Sequence, residues 1–448
     1  MVESLTSASQ RAISNKRFAY NLAWSLLGAG LPMLIAIVAV PTLIRDLGTA
    51  RFGVLSIAWM VVGYFSFFDF GLGRALTQAV AAKLGGAEER QVPVIVWTSL
   101  AMLLALGVAG CVAIAALTPW LVDSVLKIPE SLHAETRTSF YILALSIPVV
   151  VLTTGLRGLL EAYQRFDLVN VVRVPLGVLT YLAPLMVLPM TKTLPAVVLV
   201  LVLVRLLSCV VYAGMCAKCY PHLRRRIPMQ AGVLRELMAF GGWMTVSNIA
   251  APLLLYLGRL LVAGMVSVEA VAYFSTPYDV VTNLLTIPAI FVTVLFPVFT
   301  QSFQRDPIAV AAVYRRAMLY NFLALAPLCL VTFLLAKPAL SWWISPDFAT
   351  HAYRVAQFMA VGVLINSFGH ISQALIQAYG RPDLTAKLHV AELLAYVPYL
   401  WWLTRMQGID GAALGWVIRV CISTAALWFI ARRCLSVSLS AGSQENSR

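Results

Sequence analysis

Charge is scarce in this chain. Only 12% of its 448 residues are Asp, Glu, Lys or Arg, and just 19 of them are acidic. A soluble domain carries about 25% charged residues, so a water-soluble globular protein is excluded. Several catalytic signatures are missing as well. No GxxxxGK[ST] phosphate loop is present, which argues against ATP hydrolysis. No DxD pair and no long hydrophilic segment offer a place for sugar transfer. The longest outer connection, roughly Thr118–Arg137, falls short of the long outer loop that a membrane-embedded polymerase or ligase would be expected to show. Of seven cysteines, only Cys216 and Cys219 form a CxxC pair, with His222 close behind. A structural zinc site usually takes four ligands. No second cluster supplies the other two, so no metal is expected.

What fills the chain instead is apolar. Hydrophobic residues make up 60% of it, in runs that repeatedly reach the roughly 20 residues a helix needs to cross about 30 Å of hydrocarbon. The expected class is therefore an all-α polytopic membrane protein. About 12 spans can be drawn: Ala19–Ile44, Gly53–Ala81, Val92–Leu117, Thr138–Tyr163, Val171–Pro189, Leu194–Ala217, Met238–Met265, Ala270–Phe299, Ala317–Ala336, Tyr353–Tyr379, Thr385–Leu403 and Gly411–Ala431. The first run is too long for a signal-peptide core and lacks a prompt cleavage site, so it reads as an uncleaved span.

The net charge of +14 does not indicate nucleic acid. With the N-terminus inside, 20 Lys and Arg fall on the cytoplasmic side, Arg173 among them, and 8 on the other. That asymmetry records orientation and puts both termini in the cytoplasm. The densest basic group, Lys218 with Arg224, Arg225 and Arg226, lies between the sixth and seventh spans. Trp342, Trp343, Trp401 and Trp402 stand at outer span ends, where interfacial aromatics belong.

The halves repeat one another. Glu161 to Leu168 closes the fourth span, and Gln377 to Leu384 closes the tenth, 216 residues later, with Tyr163/Tyr379, Arg165/Arg381 and Asp167/Asp383 in register. Arg205 in the sixth span precedes Arg419 in the twelfth by 214. An even number of spans per half makes the repeat parallel, giving two six-helix lobes around a central cavity. The expected organisation is a lobe over 1–217, a basic cytoplasmic linker over 218–237, a second lobe over 238–431 and a disordered cytoplasmic tail over 432–448. The duplicated Arg165/Asp167 and Arg381/Asp383 either cap and anchor their helix ends or form a cytoplasmic gate.

Five arginines fall inside spans: Arg74, Arg157, Arg205, Arg259 and Arg419. At about 2.5–3.5 kcal/mol each, even on a lenient insertion scale, they cannot all face lipid. Asp69 lies five residues before Arg74, and Glu161 one turn beyond Arg157, at ion-pair spacing. Arg205, Arg259 and Arg419 have no carboxylate within a turn. Unpaired guanidinium groups around water make an anion site, because their forks match phosphate. A cation or drug exporter would be expected to show the reverse balance of charge.

Two regions carry a family resemblance. Arg51 to Ser56 and the run from Gly63 to Thr77, with Asp69 and Arg74 inside it, resemble the second-span region of bacterial oligosaccharide flippases of the multidrug/oligosaccharidyl-lipid/polysaccharide superfamily. So do Gly258 to Val262, Ala272 to Tyr278, and Leu295 to Pro297, except that Gly258 stands where that motif carries an acid. The resemblance implies alternating access. It also implies a polyprenyl-diphosphate-linked glycan moved from the cytoplasmic to the periplasmic leaflet of the bacterial inner membrane, and polysaccharide polymerase machinery as a partner. No cofactor is implied. Some branches of the superfamily couple transport to a cation (H+ or Na+), and Asp69 and His370 are the residues to examine for that role. A cation-coupled antiporter of the same fold remains the alternative.

Overall fold

The computed structural model describes residues 30–66, 72–84, 91–220, 253–302 and 307–445. Among the described residues the regular structure is helical throughout. The first half contains α1 (Gly30–Leu47), α2 (Thr49–Phe65), α3 (Leu72–Lys83), α4 (Val92–Trp120), α5 (His133–Ala162), α6 (Phe166–Val187) and α7 (Leu194–Cys219). The second half contains α8 (Leu253–Met265), α9 (Val268–Thr282), α10 (Thr286–Ser302), α11 (Pro307–Trp343), α12 (Pro346–Ala378) and α13 (Pro382–Glu445). Nine helical stretches among the described residues are long and apolar enough to cross a membrane. Asp69, His222 and most of the 218–237 linker lie outside the described residues, and Arg74 is described only in its backbone, within α3.

The solvent-facing pattern of a water-soluble protein is inverted here. Leu145, Leu334 and Leu394 are each about two-thirds exposed or more, at 65%, 65% and 74%. Apolar patches of that extent need lipid to cover them. Several hydroxyls are satisfied within their own helices. Ser56, Ser66, Thr118, Thr180, Ser208 and Thr404 each donate to the carbonyl four residues back. Where no water competes, this back-bonding is the local way to satisfy an O–H.

Several expected spans are longer or more broken than the hydropathy suggested. Gly53–Ala81 contributes to α2 and α3, with residues 67–71 between them outside the described residues. Ala270–Phe299 is two helices joined by a 3-10 turn at Asn283–Leu285. The eleventh and twelfth spans form one kinked element, α13, whose break is Gly408 at φ 60, a left-handed conformation that glycine adopts without cost. The helix then continues to Glu445, through the stretch expected to be a disordered tail. No Pro or Gly interrupts residues 416–441, and Arg432 and Arg433 lie over the Trp428 and Phe429 rings at 3.9 and 4.5 Å.

The chain divides into two compact units. One comprises Met1–Gly48, Ala58–Val122 and Glu130–Ile249; the other comprises Thr49–Ile57, Asp123–Pro129 and Ala250–Arg448. The expected repeat is visible inside them. In the first unit, Leu159, Leu160, Tyr212, Cys216 and Tyr220 belong to one core cluster. In the second, Leu375, Ile376, Leu427, Ala431 and Leu435 do the same, 216 residues on for the first two and 215 for the others. The 215 offset also matches Ser208 and Cys209 to the buried Ser423 and Thr424. Arg205 and Arg419, 214 apart, are therefore one residue out of this register.

The Tyr-x-Arg-x-Asp copies fold alike. After α5, Arg165 N–H donates to Leu160 O at 2.9 Å and Gln164 N–H to Glu161 O at 2.9 Å. After α12, Arg381 N–H donates to Ile376 O at 3.2 Å and Gly380 N–H to Gln377 O at 3.0 Å. This paired bonding is a Schellman cap. Each arginine then clasps the aspartate two residues on: Arg165 reaches Asp167 through two bonds of 2.9 Å, and Arg381 reaches Asp383 through bonds of 2.9 and 3.1 Å. The clasp holds the Arg165 and Arg381 guanidinium groups above their ordinary pKa. Each pair thus closes on itself within its own unit, the geometry of a helix cap.

The caps differ in one residue. The left-handed position is Gly380 at φ 85 in one copy and Gln164 at φ 55 in the other. A side chain there costs about 1 kcal/mol or more. Gln164→Gly is expected to raise stability by about 1 kcal/mol, and Gly380→Ala to lower it by at least as much. Unfolding midpoints of the purified protein in detergent check both signs.

Candidate functional site

In the first unit, three arginines line one cavity of about 80 Å³. Arg157 comes from α5, Arg173 from α6 and Arg205 from α7, with Thr153, Thr154 and Ser208 also in the lining. The local fold explains why these residues converge. Leu156, Leu159 and Leu160 of α5, Val172 of α6 and Cys209, Tyr212 and Cys216 of α7 form the shared core. Arg157 and Arg173 sit beside those core positions and turn away from them, and Arg205 lies one turn before Ser208. Tyr212 fixes the α6–α7 contact by donating its O–H to Val169 O at 3.0 Å.

Among the described residues no carboxylate lines the cavity. Glu161, one turn beyond Arg157, pairs with it at 3.3 Å, as the spacing predicts. Arg205 makes no ion pair among the described residues and is half-buried. A unit charge 4 Å from another gains of order 4 kcal/mol at an effective dielectric of about 20, so Arg173 and Arg205, with Arg157 already paired to Glu161, favour an anion in this cavity. Its volume sets the size of that anion. Drug-sized ligands occupy about 300–1,000 Å³, so about 80 Å³ gives room for several waters or one small anionic group.

The other two candidate arginines lie in the second unit, and here the expectation of unpaired charges is corrected. Arg259 is buried at 5% exposure and pairs with Asp279, twenty residues later on α9. Its guanidinium also lies 5.8 Å from the Tyr256 ring centre and 5.2 Å from that of Tyr278. Arg419 approaches Glu392 at 3.9 Å and the Tyr396 ring at 5.4 Å. Both carboxylates come from other helical segments, which a search within one turn does not reach. Glu392 is itself buried and lies 3.1 Å from His389 Nδ1. His370 is partly buried in α12. Of the three arginines expected to be without carboxylates, Arg205 alone keeps that status among the described residues.

Sequence reading missed Arg173, which was assigned to the cytoplasmic edge of its span although α6 begins at Phe166 and carries it inside. It also passed over His389, Ser423 and the tyrosines around Arg259 and Arg419. The 216-residue offset could have found His389, since it is the repeat counterpart of Arg173. Cys216 and Cys219 are free thiols. Cys216 donates to Leu156 O at 3.3 Å, and Cys219 accepts from Arg165 at 3.9 Å. No group of three or more metal-ligating side chains occurs among the described residues.

Comparison with known proteins agrees with this architecture. Residues 18–303 match the family described as "Polysaccharide biosynthesis protein". A Shigella flexneri protein named "Putative O-antigen transporter" is 29% identical over 426 residues, covering 92% of this chain and 98% of that protein. An inward-facing multidrug resistance MATE family transporter of the MOP superfamily shares the fold with a TM-score of 0.76 at 13% identity, over 93% of this chain and 99% of its own. A MOP superfamily transporter from Pyrococcus furiosus, described by a binding pocket of reverse polarity, gives 0.61 at 16% identity over 93% and 96%. The family match covers more than half of the chain. This multi-pass membrane protein belongs to the polysaccharide biosynthesis protein family and has the fold of the MOP-superfamily transporters.

Proposed function

We propose that this protein flips a polyprenyl-diphosphate-linked oligosaccharide, the repeat unit of a surface polysaccharide, from the cytoplasmic to the periplasmic leaflet of the bacterial inner membrane by alternating access. The observation that carries the reading is the cavity lined by Arg157, Arg173 and Arg205, with no carboxylate in the lining among the described residues. Its size suits the phosphate end of such a substrate. The glycan would lie outside it, and the prenyl chain can stay in lipid. The family match and the O-antigen relative support the same substrate class. An exporter of organic cations would need acidic groups in this position.

Further parts of the reading follow from the sequence. The lobes 1–217 and 238–431 are taken to alternate about the substrate, with both termini in the cytoplasm, as the 20-to-8 distribution of basic residues supports. The chain carries no phosphate loop for ATP, so the driving force is assigned to a cation gradient (H+ or Na+) acting through Asp69 and His370. Polymerase machinery in the membrane would receive the flipped unit.

Loss of one charge-assisted contact to phosphate removes about 1.5–3 kcal/mol, or roughly a 10- to 150-fold change in affinity. Arg205→Ala is accordingly expected to reduce surface polysaccharide in a complementation assay at least tenfold, at an unchanged membrane level. Arg205→Lys, which keeps the charge but not the fork, should recover it only partly. Unchanged polysaccharide with Arg205→Ala would refute the anion-site reading. Arg165→Glu is expected to lower protein stability rather than flux per folded molecule, because Arg165 clasps its own cap. Quantitation of folded protein beside transport separates the two effects.

A further inference from the structure

The Arg419 cluster of the second unit stands where the repeat places the arginine cavity of the first. The offset over α5–α6 and α12–α13 is 216, fixed by the two Schellman caps at Leu160 and Ile376. In that register Arg173 corresponds to His389 and Leu176 to Glu392. Over α7 and the later part of α13 the offset is 215, which pairs Ser208 with Ser423. Arg205 and Arg419 reach the two sites from neighbouring positions of corresponding helix turns.

One exchange changes the chemistry. Leu176 is apolar and lines the first unit's cavity, whose lining among the described residues holds three arginines and no acid, with Glu161 beside it on Arg157. Glu392, at the matching position, supplies a buried carboxylate 3.9 Å from Arg419 and 3.1 Å from His389, with Ser423 beside it. Arg419 Nε and Glu392 Oε1 are buried and make no hydrogen bond within ordinary distance, so the cluster is held by charge but not fully satisfied. A carboxylate is the intramolecular equivalent of a phosphate oxygen pair, and guanidinium accepts either.

We propose that Glu392 is a tethered anion holding, in the second unit, the place that an external phosphate-class anion takes in the first. The protein then binds one such anion per chain, and a latent second site lies beneath Glu392. This rests on the anion reading of the first cavity for the native stoichiometry, but not for the existence of the latent site. Leu176 and Glu392 are the residues that determine which unit is receptive.

The test is equilibrium binding of inorganic diphosphate to the purified full chain in detergent, with monodisperse elution as the check on folding. The wild-type chain is expected to bind one diphosphate, and Arg205→Ala none. Glu392→Leu should bind two, the second lost again in Glu392→Leu/Arg419→Ala. Glu392→Gln, closer in shape and polarity, serves if the leucine variant does not fold. One diphosphate bound by folded Glu392→Leu or Glu392→Gln with unaltered affinity overturns the proposal. If the wild type binds none while Glu392→Leu binds one through Arg419, the anion reading of the first cavity fails and the latent site stands. The reciprocal Leu176→Glu should weaken binding to the first unit at least tenfold; undiminished binding there would overturn the tethered-anion argument from the other side.

Discussion

A guanidinium group in hydrocarbon must find a partner, and the interior of this protein is organised by that requirement. Arginine does not give up its proton at accessible pH, so neutralising itself is no escape. The chain meets the demand in three ways. Arg157 takes a carboxylate from its own helix, Arg259 and Arg419 take carboxylates and tyrosine faces from other segments, and Arg205 turns to a cavity. The helices around these groups are then constrained in rotation, since turning α7 by a quarter would carry Arg205 into lipid and Tyr212 out of its contact with Val169.

The fold was largely legible because its signals are local. Apolar run length marked the spans, and the matched Tyr163/Tyr379 segments the duplication. Helix ends were less legible. The spans predicted as Thr138–Tyr163 and Ala317–Ala336 grow to α5 and α11 by including polar turns that hydropathy discards. The site was legible only in composition. That arginines lie in spans is a fact of the sequence; that Asp279 meets Arg259 across twenty residues, or that Arg173 joins Arg157 and Arg205, depends on helix packing.

Duplication explains why the two units share a frame yet differ in chemistry. The caps and cores recur because each solves the same backbone problem: orphan carbonyls at a helix end, and a face that must pack. Such positions drift little in role, even where Gln164 and Gly380 show that they drift in identity. Polar positions lining a void are under no packing obligation and diverge freely, as Leu176 and Glu392 have done. A parallel repeat with one cationic and one self-neutralised half is chemically asymmetric in spite of its backbone symmetry.

The length of α11 has a consequence for its surroundings. Its 37 residues span about 55 Å, well beyond about 30 Å of hydrocarbon, so several turns stand among the headgroups or in water even if the helix tilts. Arg315 and Arg316 lie exposed in its early turns. Anionic lipid attracts such residues by about 1 kcal/mol each. The helix is in effect moored to one leaflet, and the charge of that leaflet becomes a variable of how the protein sits in its bilayer.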